Sequence, residues 1–307
     1  MGSSEAGTGS QKTPPSKVGR TGGSRPRRAG NVPTEHRDGR SPAEPDDSSN
    51  PVLASRVGPL LTLTLNRPHR LNAVSLSLYE RLVAELQCAD EDRDIRCVIL
   101  TGSGRAFCAG ADLKAHRDRP QSPEERRRYI ETAQRANHLM QTIGTPVVAA
   151  VNGHAIGAGL ELALSADFAI VAEDARLRLP EVALGTFVGG GAVYTLAERV
   201  GVLKAREIIL LGDFFSGAEA TAMGVLNRAV PAAEVLDEAT RLAHRLARRA
   251  PIPLAAAKKL IGPAAALSRE EALERERAAL EEIFGTADWR EGLAAFHEKR
   301  PPRYRGK

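Results

Sequence analysis

The feature that most constrains the fold of this chain is the alternation of short apolar strands with amphipathic helices between residues 60 and 151. The predicted strands cover residues 60–66, 97–100 and 146–151. Leucines at every fourth position predict one helix that opens near Ser75, and a longer helix is predicted to begin at 122–125, with a proline in its first turn. This pattern is typical of a layered α/β domain in which helices cover both faces of the sheet.

Three regions of the chain differ in composition. Residues 1–50 are rich in Gly, Ser, Pro and Arg, and such a segment cannot bury enough apolar surface to offset its ordering entropy. The sequence therefore predicts a disordered basic tail over 1–50, a core over 51–250 and a C-terminal helical region over 251–307. Two alternatives stay open for the tail, a transit peptide and a nucleic-acid-binding arm, although its prolines and glycines disfavour the amphipathic helix of a transit peptide.

Helices dominate the prediction for the last third of the chain. Strands fade after Val200, and the segments with helical composition are 203–212, 232–249, 251–266, 268–284 and 287–297. We expect this region to pack against other subunits.

Composition and missing motifs exclude several classes of protein. No apolar run approaches the roughly 18 to 20 residues that cross a bilayer. Three cysteines without C-x-x-C spacing disfavour a disulfide framework or a zinc site, so we expect a soluble, cytoplasmic protein without a metal. The chain also lacks a phosphate-binding loop, a G-x-S-x-G elbow and an H-E-x-x-H motif. A net charge of +5 leaves an anionic partner possible.

A segment of small residues at 152–164 follows the third predicted strand and runs into an apolar helical stretch, which predicts a helix N-terminus close to a ligand. Glu161 lies in the first turns of this helix, between Leu160 and Leu162. Burying a carboxylate costs on the order of several kcal/mol unless it is paired or its pKa shifts. Glu161 is therefore a candidate catalytic residue. A carboxylate stabilised only by the helix dipole or by a neighbouring arginine is the alternative.

A second carboxylate in apolar surroundings strengthens the catalytic hypothesis. Glu181 follows Pro180 within the apolar segment 177–185. Two carboxyl groups in dry surroundings can hold different pKa values, as a general acid and a general base require. The sequence alone does not bring these two residues together.

Residues 106–114 contribute a further candidate element. Their small side chains suit a turn whose backbone amides face outward, the geometry that stabilises a thioester enolate. An ordinary loop between a strand and a helix is the alternative.

Together these segments resemble the enoyl-CoA hydratase/isomerase (crotonase) family over roughly residues 55 to 307. The matching motifs are Asn66-Arg67-Pro68, Leu71-Asn72-Ala73, 107–114, 152–161, Pro180-Glu181 and 184–191, in the family's order and spacing. Residues 107–114 and the chain end at 291–304 look most like the AU-rich-RNA-binding homologue, a methylglutaconyl-CoA hydratase.

This resemblance implies a fold, an assembly and a reaction. The implied fold is an α/β crotonase-like ββα spiral core with a C-terminal helical trimerisation region, and the implied assembly is a homotrimer or a homohexamer. The implied reaction is the hydration of an enoyl-CoA thioester in fatty acid metabolism, with coenzyme A as part of the substrate and no separate cofactor. Glu161 would deprotonate the attacking water, and Glu181 would act as the acid at the α-carbon.

Other roles are also implied by position. The backbone amides of Ala111 and Ala158 would form the oxyanion hole, although Ala158 replaces the family's usual glycine. The residues expected to line the CoA and acyl channel are Arg70, Leu71, Ala73, Ala109, Asp112 and Leu113, with Phe296 and Lys299 reaching CoA from a neighbouring subunit.

Competing functions stay open. The presence of both glutamates favours hydration, but an isomerase, a CoA-thioester hydrolase or a decarboxylase would use the same enolate stabilisation. Thr186-Phe187-Val188 replaces the isoleucine and proline that hydratases often have, so the acyl group stays undefined. RNA binding is an alternative of another class, suggested by the basic tail and by Arg126-Arg127-Arg128, which we interpret primarily as a solvated helix face.

Overall fold

A computed structural model describes residues 50–118, 121–262 and 267–307, so the predicted tail lies outside the described residues except for its last position. In chain order, the described strands are β1 (Val52–Val57), β2 (Leu60–Leu65), β3 (Cys97–Gly102), β4 (Ala106–Cys108), β5 (Val147–Val151), β6 (His154–Ile156), β7 (Phe168–Ala172), β8 (Arg176–Arg178), β9 (Phe215–Ser216) and β10 (Arg228–Val230). The α-helices are α1 (Leu76–Glu91), α2 (Leu113–Asp118), α3 (Pro123–Thr142), α4 (Ala158–Ser165), α5 (Ala192–Leu211), α6 (Gly217–Ala222), α7 (Val235–Ala247), α8 (Pro251–Ile261), α9 (Arg269–Phe284) and α10 (Ala287–His297). Short 3-10 helices cover Pro68–Arg70, Val182–Leu184 and Ala232–Glu234.

The strands form two sheets. The larger has the order β1-β2-β3-β5-β7-β10, and all its pairs are parallel except β1 with β2. The smaller has the order β4-β6-β8-β9, and only β8 with β9 is antiparallel. Each of β3, β5 and β7 is followed by a strand of the smaller sheet and then by at least one helix. This repeated strand-strand-helix unit confirms the predicted spiral.

Apolar periodicity explains why the central elements form where the sequence predicts them. The three predicted strands correspond to β2, β3 and β5, which are largely or wholly buried. Ser75 caps α1 by accepting a hydrogen bond from the Leu78 amide. Ser122 and Glu125 form a capping box at the start of α3. Both helix starts are therefore confirmed together with the caps that define them.

Three strands lack the pattern on which the predictions depend. No strand is predicted before residue 60, and β1 is missed because it is an edge strand with only Val52 buried and so lacks an apolar pattern. Two strands also lie beyond Val200, where strands were expected to fade. They are β9 and β10, and they are only two and three residues long. Pairing with longer neighbours stabilises these short strands, and their own composition does not reveal them.

The helical segments predicted for the last third correspond to α5 and α7 to α10. The segment predicted at 203–212 is the second half of α5, which bends at Gly201, where φ is 75°. The helix predicted over 251–266 ends at Ile261 as α8, and residues 263–266 lie outside the described residues. The division of the chain into a core and a helical region at residue 250 stays a prediction.

The turn between β2 and α1 is held by a buried amide side chain. Asn72 is fully buried and has a left-handed backbone, with φ at 56°. Its Oδ1 accepts a hydrogen bond from the Arg67 amide at 2.9 Å. Its Nδ2 donates to the carbonyl oxygens of Ser103, at 2.9 Å, and Ala106, at 2.8 Å. One side chain therefore ties this turn to the β3–β4 connection.

We expect Asn72→Ala to lower the free energy of unfolding by about 3 kcal/mol, because it leaves buried backbone groups without partners and places alanine at positive φ. The measurement is urea denaturation of the whole chain. Asn66→Ala is the matched control: within the described part of the chain its side chain bonds only the Asn50 carbonyl, at 3.4 Å, so the change should stay within about 0.5 kcal/mol. Equal midpoints for the two variants would contradict the role given to Asn72.

Candidate active site

Helix α4 begins the candidate site, and glycines allow it to pack where it does. Gly157 precedes the helix with φ at 54°, a conformation that favours glycine. A Cβ atom on Gly159 would overlap the carbonyl oxygen of Cys108 in β4. The helix can therefore approach β4 closely, and Glu161 in its first turn is buried, with only 5% of its surface exposed.

Backbone amides hold the Glu161 carboxylate. Its Oε1 accepts hydrogen bonds from the amides of Gly189, at 3.0 Å, and Gly190, at 2.6 Å. A Cβ atom on Gly190 would lie 2.8 Å from Asn137 Nδ2 and 3.1 Å from Glu161 Cβ, so this contact requires glycine. The sequence alternative in which an arginine pairs with Glu161 is wrong, because the partners are amides of the loop before α5.

Glu181 lies against the N-terminus of the same helix. A Cβ atom on Gly157 would come within 2.5 Å of Glu181 Oε1. The Gly157 amide donates to the Arg178 carbonyl at 2.9 Å, which joins the end of β8 to the start of α4. Glu181 Oε2 is buried and has no hydrogen-bond partner among the described residues. Burial raises the pKa of Glu181, and the charge of Glu161 adds to this effect.

Burial is the main influence on both carboxyl groups. It raises the pKa of Glu161, and hydrogen bonds from the backbone amides of Gly190, Gly189 and Ala192 oppose the rise without cancelling it. Burial also raises the pKa of Glu181; its own backbone amide lowers that pKa, Glu161 raises it and Arg178 lowers it. Two carboxyl groups whose pKa values are both raised next to one helix N-terminus are candidates for a general acid and a general base.

The backbone amides of Ala111 and Ala158, which are predicted to form an oxyanion hole, lie on adjacent segments. The Val74 amide donates to the Gly110 carbonyl, and the Val74 carbonyl accepts from the Asp112 amide. The amide of Ala111, which lies between these two residues, therefore points away from Val74. Ala158 is the first residue of α4, and the first amides of a helix lack partners within it. A Cβ atom on Gly110 would lie 3.8 Å from the Ala158 nitrogen, so the two segments are adjacent.

A buried ion pair fixes the Ala111 segment. Arg67 Nη2 lies 2.9 Å from Asp112 Oδ2, and Arg67 Nη1 donates to the Ala73 carbonyl. Asp112 Oδ1 accepts from the Ala115 amide at 3.1 Å. Although burial acts in the opposite direction, the Ala115 amide and Arg67 lower the pKa of Asp112, so it stays ionised. The function of Asp112 seen here is to hold the loop.

The predicted channel residues divide into two groups. Ala73 and Asp112 are buried, while Arg70, Leu71 and Ala109 are half-buried and Leu113 is exposed. The Ala109 amide donates to the Leu71 carbonyl at 3.0 Å, so these residues surround one turn. The second group, Phe296 and Lys299, lies at the end of α10 and after it, and both side chains are exposed. Contact with CoA stays a prediction for both groups.

Sequence reasoning missed several residues of the site. The anchoring amides of Gly189 and Gly190 were recognised only as part of a motif, without a role. Tyr79 and Tyr129 also lie near Glu161, whose charge adds to the effect of burial in raising the pKa of both phenols. No local pattern pointed to these contacts, because each joins segments far apart in the chain.

Other classes of site find little support in the described residues. Among residues 50–118, 121–262 and 267–307, no cluster of three or more His, Cys, Asp or Glu side chains could hold a metal ion. No helix in those same ranges is long and apolar enough to cross a bilayer. In the arginine cluster on α3, Arg128 pairs with Glu80 at 2.5 Å, as on a solvated helix face. RNA binding stays a prediction.

A sequence profile of the enoyl-CoA hydratase/isomerase family matches residues 57–307. The chain belongs to this family. A probable mitochondrial enoyl-CoA hydratase from Dictyostelium discoideum is 37% identical over 252 residues, which are 82% of this chain and 88% of that protein. The 2,3-dehydroadipyl-CoA hydratase of Escherichia coli K12 is 35% identical over 258 residues, 83% of this chain and 99% of that protein.

A solved structure supports the same family assignment. The crystal structure of an enoyl-CoA hydratase from Bacillus anthracis superposes with a TM-score of 0.80 at 35% identity, covering 84% of this chain and all of that one. The crotonase-like fold and the assignment to the hydro-lyase enzymes are confirmed. The finer likeness to the AU-binding homologue stays a prediction, as does a cytoplasmic location.

Burial of Glu161 makes the stability of this enzyme depend on pH. The pKa of Glu161 is higher in the folded chain than in the unfolded chain, so ionisation of its carboxyl group destabilises the fold. This loss of stability is absent below the pKa of the unfolded chain, about 4.3. It is fully present above the pKa of the folded chain. We expect Glu161→Gln, which keeps an acceptor oxygen without the charge, to raise the urea midpoint at pH 8. This gain should disappear as the pH falls to about 4.

The control is Glu131→Gln, on an exposed position of α3, which should leave the midpoint unchanged across the same range. A Glu161→Gln variant less stable than the native chain at pH 8 would show that the amide contacts outweigh the cost of burying the charge.

Proposed function

We propose that this chain is an enoyl-CoA hydratase that adds water across the 2,3 double bond of an enoyl-CoA thioester to give a 3-hydroxyacyl-CoA. The observation that carries the proposal is a pair of carboxyl groups at the N-terminus of α4: Glu161 is buried, and Glu181 is half-buried with its Oε2 atom buried. The adjacent amides of Ala111 and Ala158 supply the second half of the chemistry. The hydratase relatives support the same reaction.

The proposed reaction begins at the thioester carbonyl. The amides of Ala111 and Ala158 donate hydrogen bonds to its oxygen and stabilise the negative charge of the enolate. Polarisation of the carbonyl draws electrons from the β-carbon, where water can then attack. Helix α4 also directs its positive end toward this charge.

The two glutamates then move the protons. Glu161, held by Gly189 and Gly190, removes a proton from water as the oxygen bonds to the β-carbon. Glu181 donates its proton to the α-carbon, and the enolate returns to the thioester. One hydroxyl group and one hydrogen have been added, and the proton held by Glu161 returns to Glu181 through solvent.

We expect Glu161→Gln and Glu181→Gln each to lower kcat for crotonyl-CoA hydration by about two to three powers of ten, because each removes one proton-transfer group. The loss of crotonyl-CoA absorbance measures the rate. Binding of a non-reacting CoA thioester should change little, since neither substitution alters the shape of the pocket. Glu131→Gln is the charge-matched control and should retain full activity. Native activity in both site variants would end the proposal.

The same site geometry would serve an isomerase, a thioester hydrolase or a decarboxylase. The presence of two carboxyl groups favours hydration, because addition of water needs a base at one carbon and an acid at its neighbour. Product analysis separates these reactions: a 3-hydroxyacyl-CoA supports the hydratase, whereas a shifted double bond, free CoA or carbon dioxide would each identify another activity.

The acyl group belongs to the same proposal. The loop of Thr186, Phe187 and Val188 leads directly into the glycines that hold Glu161, and Val188 is buried while Phe187 is exposed. We propose that this loop shapes the acyl end of the pocket. A panel of short, branched, aromatic and dicarboxylic enoyl-CoA esters would define the preferred substrate and its place in fatty acid metabolism.

The proposed enzyme assembles as a homotrimer or a homohexamer. Large apolar side chains are exposed on α8, α9 and α10, where solvent contact is unfavourable. They include Ile261, Leu273, Leu280, Phe284 and Phe296. Phe296 is 80% exposed, as expected of a side chain that meets a neighbouring subunit or its CoA.

Light scattering on the purified protein should therefore give three or six times the chain mass of 32.8 kDa. A fully active monomer would contradict the proposed assembly.

We expect Phe296→Ser to raise KM for crotonyl-CoA by about tenfold with little change in kcat, because it removes only binding contacts.

A further inference from the structure

A two-arginine stack lies beside the candidate acid. In the antiparallel pairing of β8 with β9, Arg176 lies opposite Ser216 and Leu177 opposite Phe215. The same register brings Phe214 opposite Arg178. The guanidinium carbons of Arg176 and Arg178 lie 3.9 Å and 4.6 Å from the centre of the Phe214 ring. The ring therefore holds both cations through cation–π contacts.

Arg178 and Glu181 share an unusual property. Among the described residues, the buried side-chain nitrogen and oxygen atoms without a hydrogen-bond partner are Arg178 Nε and Glu181 Oε2. One is a positively charged donor and the other is an acceptor, and only Leu179 and Pro180 separate the two residues. An unpartnered buried polar atom costs about 1 to 3 kcal/mol, so its retention points to a functional role.

We propose that Arg178 is a positioning residue for Glu181: its guanidinium, held against Phe214, keeps a positive charge on the short segment that carries the Glu181 carboxyl group and its buried, unpartnered Oε2. This inference rests on the proposed hydratase function. Arg178 itself does not contact the substrate in this proposal.

The charges acting on Glu181 agree with this role. Burial raises the pKa of Glu181, its own backbone amide lowers it, Glu161 on α4 raises it and Arg178 on β8 lowers it. Arg178 is thus the cation that opposes both burial and the neighbouring carboxylate. Without it, Glu181 would hold its proton more tightly and would protonate the α-carbon of the enolate more slowly.

The test compares the pH dependence of kcat for crotonyl-CoA hydration in the native enzyme, Arg178→Met, Arg178→Lys and Arg176→Met. In Arg178→Met the alkaline limb should move to higher pH, and kcat should fall about tenfold, well short of the loss for Glu181→Gln. KM should change less than twofold. Arg178→Lys, which restores a cation, should recover most of kcat and the native profile.

Arg176→Met is the matched control, because it removes an equivalent cation from the same strand and the same ring. It should keep the native profile and kcat within twofold. The proposal is overturned if the profile of Arg178→Met superimposes on the native one, or if Arg176→Met shifts it equally.

A stability measurement separates this proposal from the proposed reaction. Glu181→Gln should raise the urea midpoint at pH 8 more in the Arg178→Met background than in the native chain, because the cation no longer offsets the buried charge. Equal changes in the two backgrounds would show that Arg178 does not act on Glu181. This comparison decides the placement of Arg178 even if no enoyl-CoA ester is hydrated.

Discussion

The desolvation of the Glu161 carboxylate is the constraint on which the rest of the site depends. A carboxylate can be buried only where other groups replace its water, and backbone amides of the loop before α5 provide them. Both amides bond the same oxygen atom, so they set the direction of the carboxylate as well as compensating for its lost water. In the proposed reaction, Glu161 would therefore be oriented as the base before a substrate arrives, without reorganisation at the moment of reaction.

The spiral architecture explains how distant segments reach this carboxylate. Each turn of the spiral places a short strand in the smaller sheet, and the connections after β4, β6 and β8 lie side by side. Glycines set the spacing: a side chain on Gly153 would overlap the Arg105 carbonyl, and one on Gly159 would overlap that of Cys108. Ala111, Ala158 and Glu181 come together because the backbones can approach this closely.

Apolar periodicity made the central strands and helices predictable, because β2, β3 and β5 bury their side chains and α1 repeats leucine every fourth residue. Glu161 and Glu181 could be found for a related reason, since a charged residue within an apolar segment is conspicuous in a sequence. The edge strand β1 and the short strands β9 and β10 carry no such pattern. The anchoring of Glu161 by Gly189 and Gly190, and the position of Phe214 opposite Arg178, depend on pairing between distant segments and have no local signal.

The loop that ends in Gly189 and Gly190 holds Glu161 and, in the proposed function, also shapes the acyl end of the pocket. Thr186, Phe187 and Val188 precede the anchoring glycines without a break, so any insertion that reshapes this loop also moves the amides that hold Glu161. New substrate preferences should therefore arise here by exchange of side chains at constant loop length. Variants that differ in length would lose turnover before they gained a new specificity.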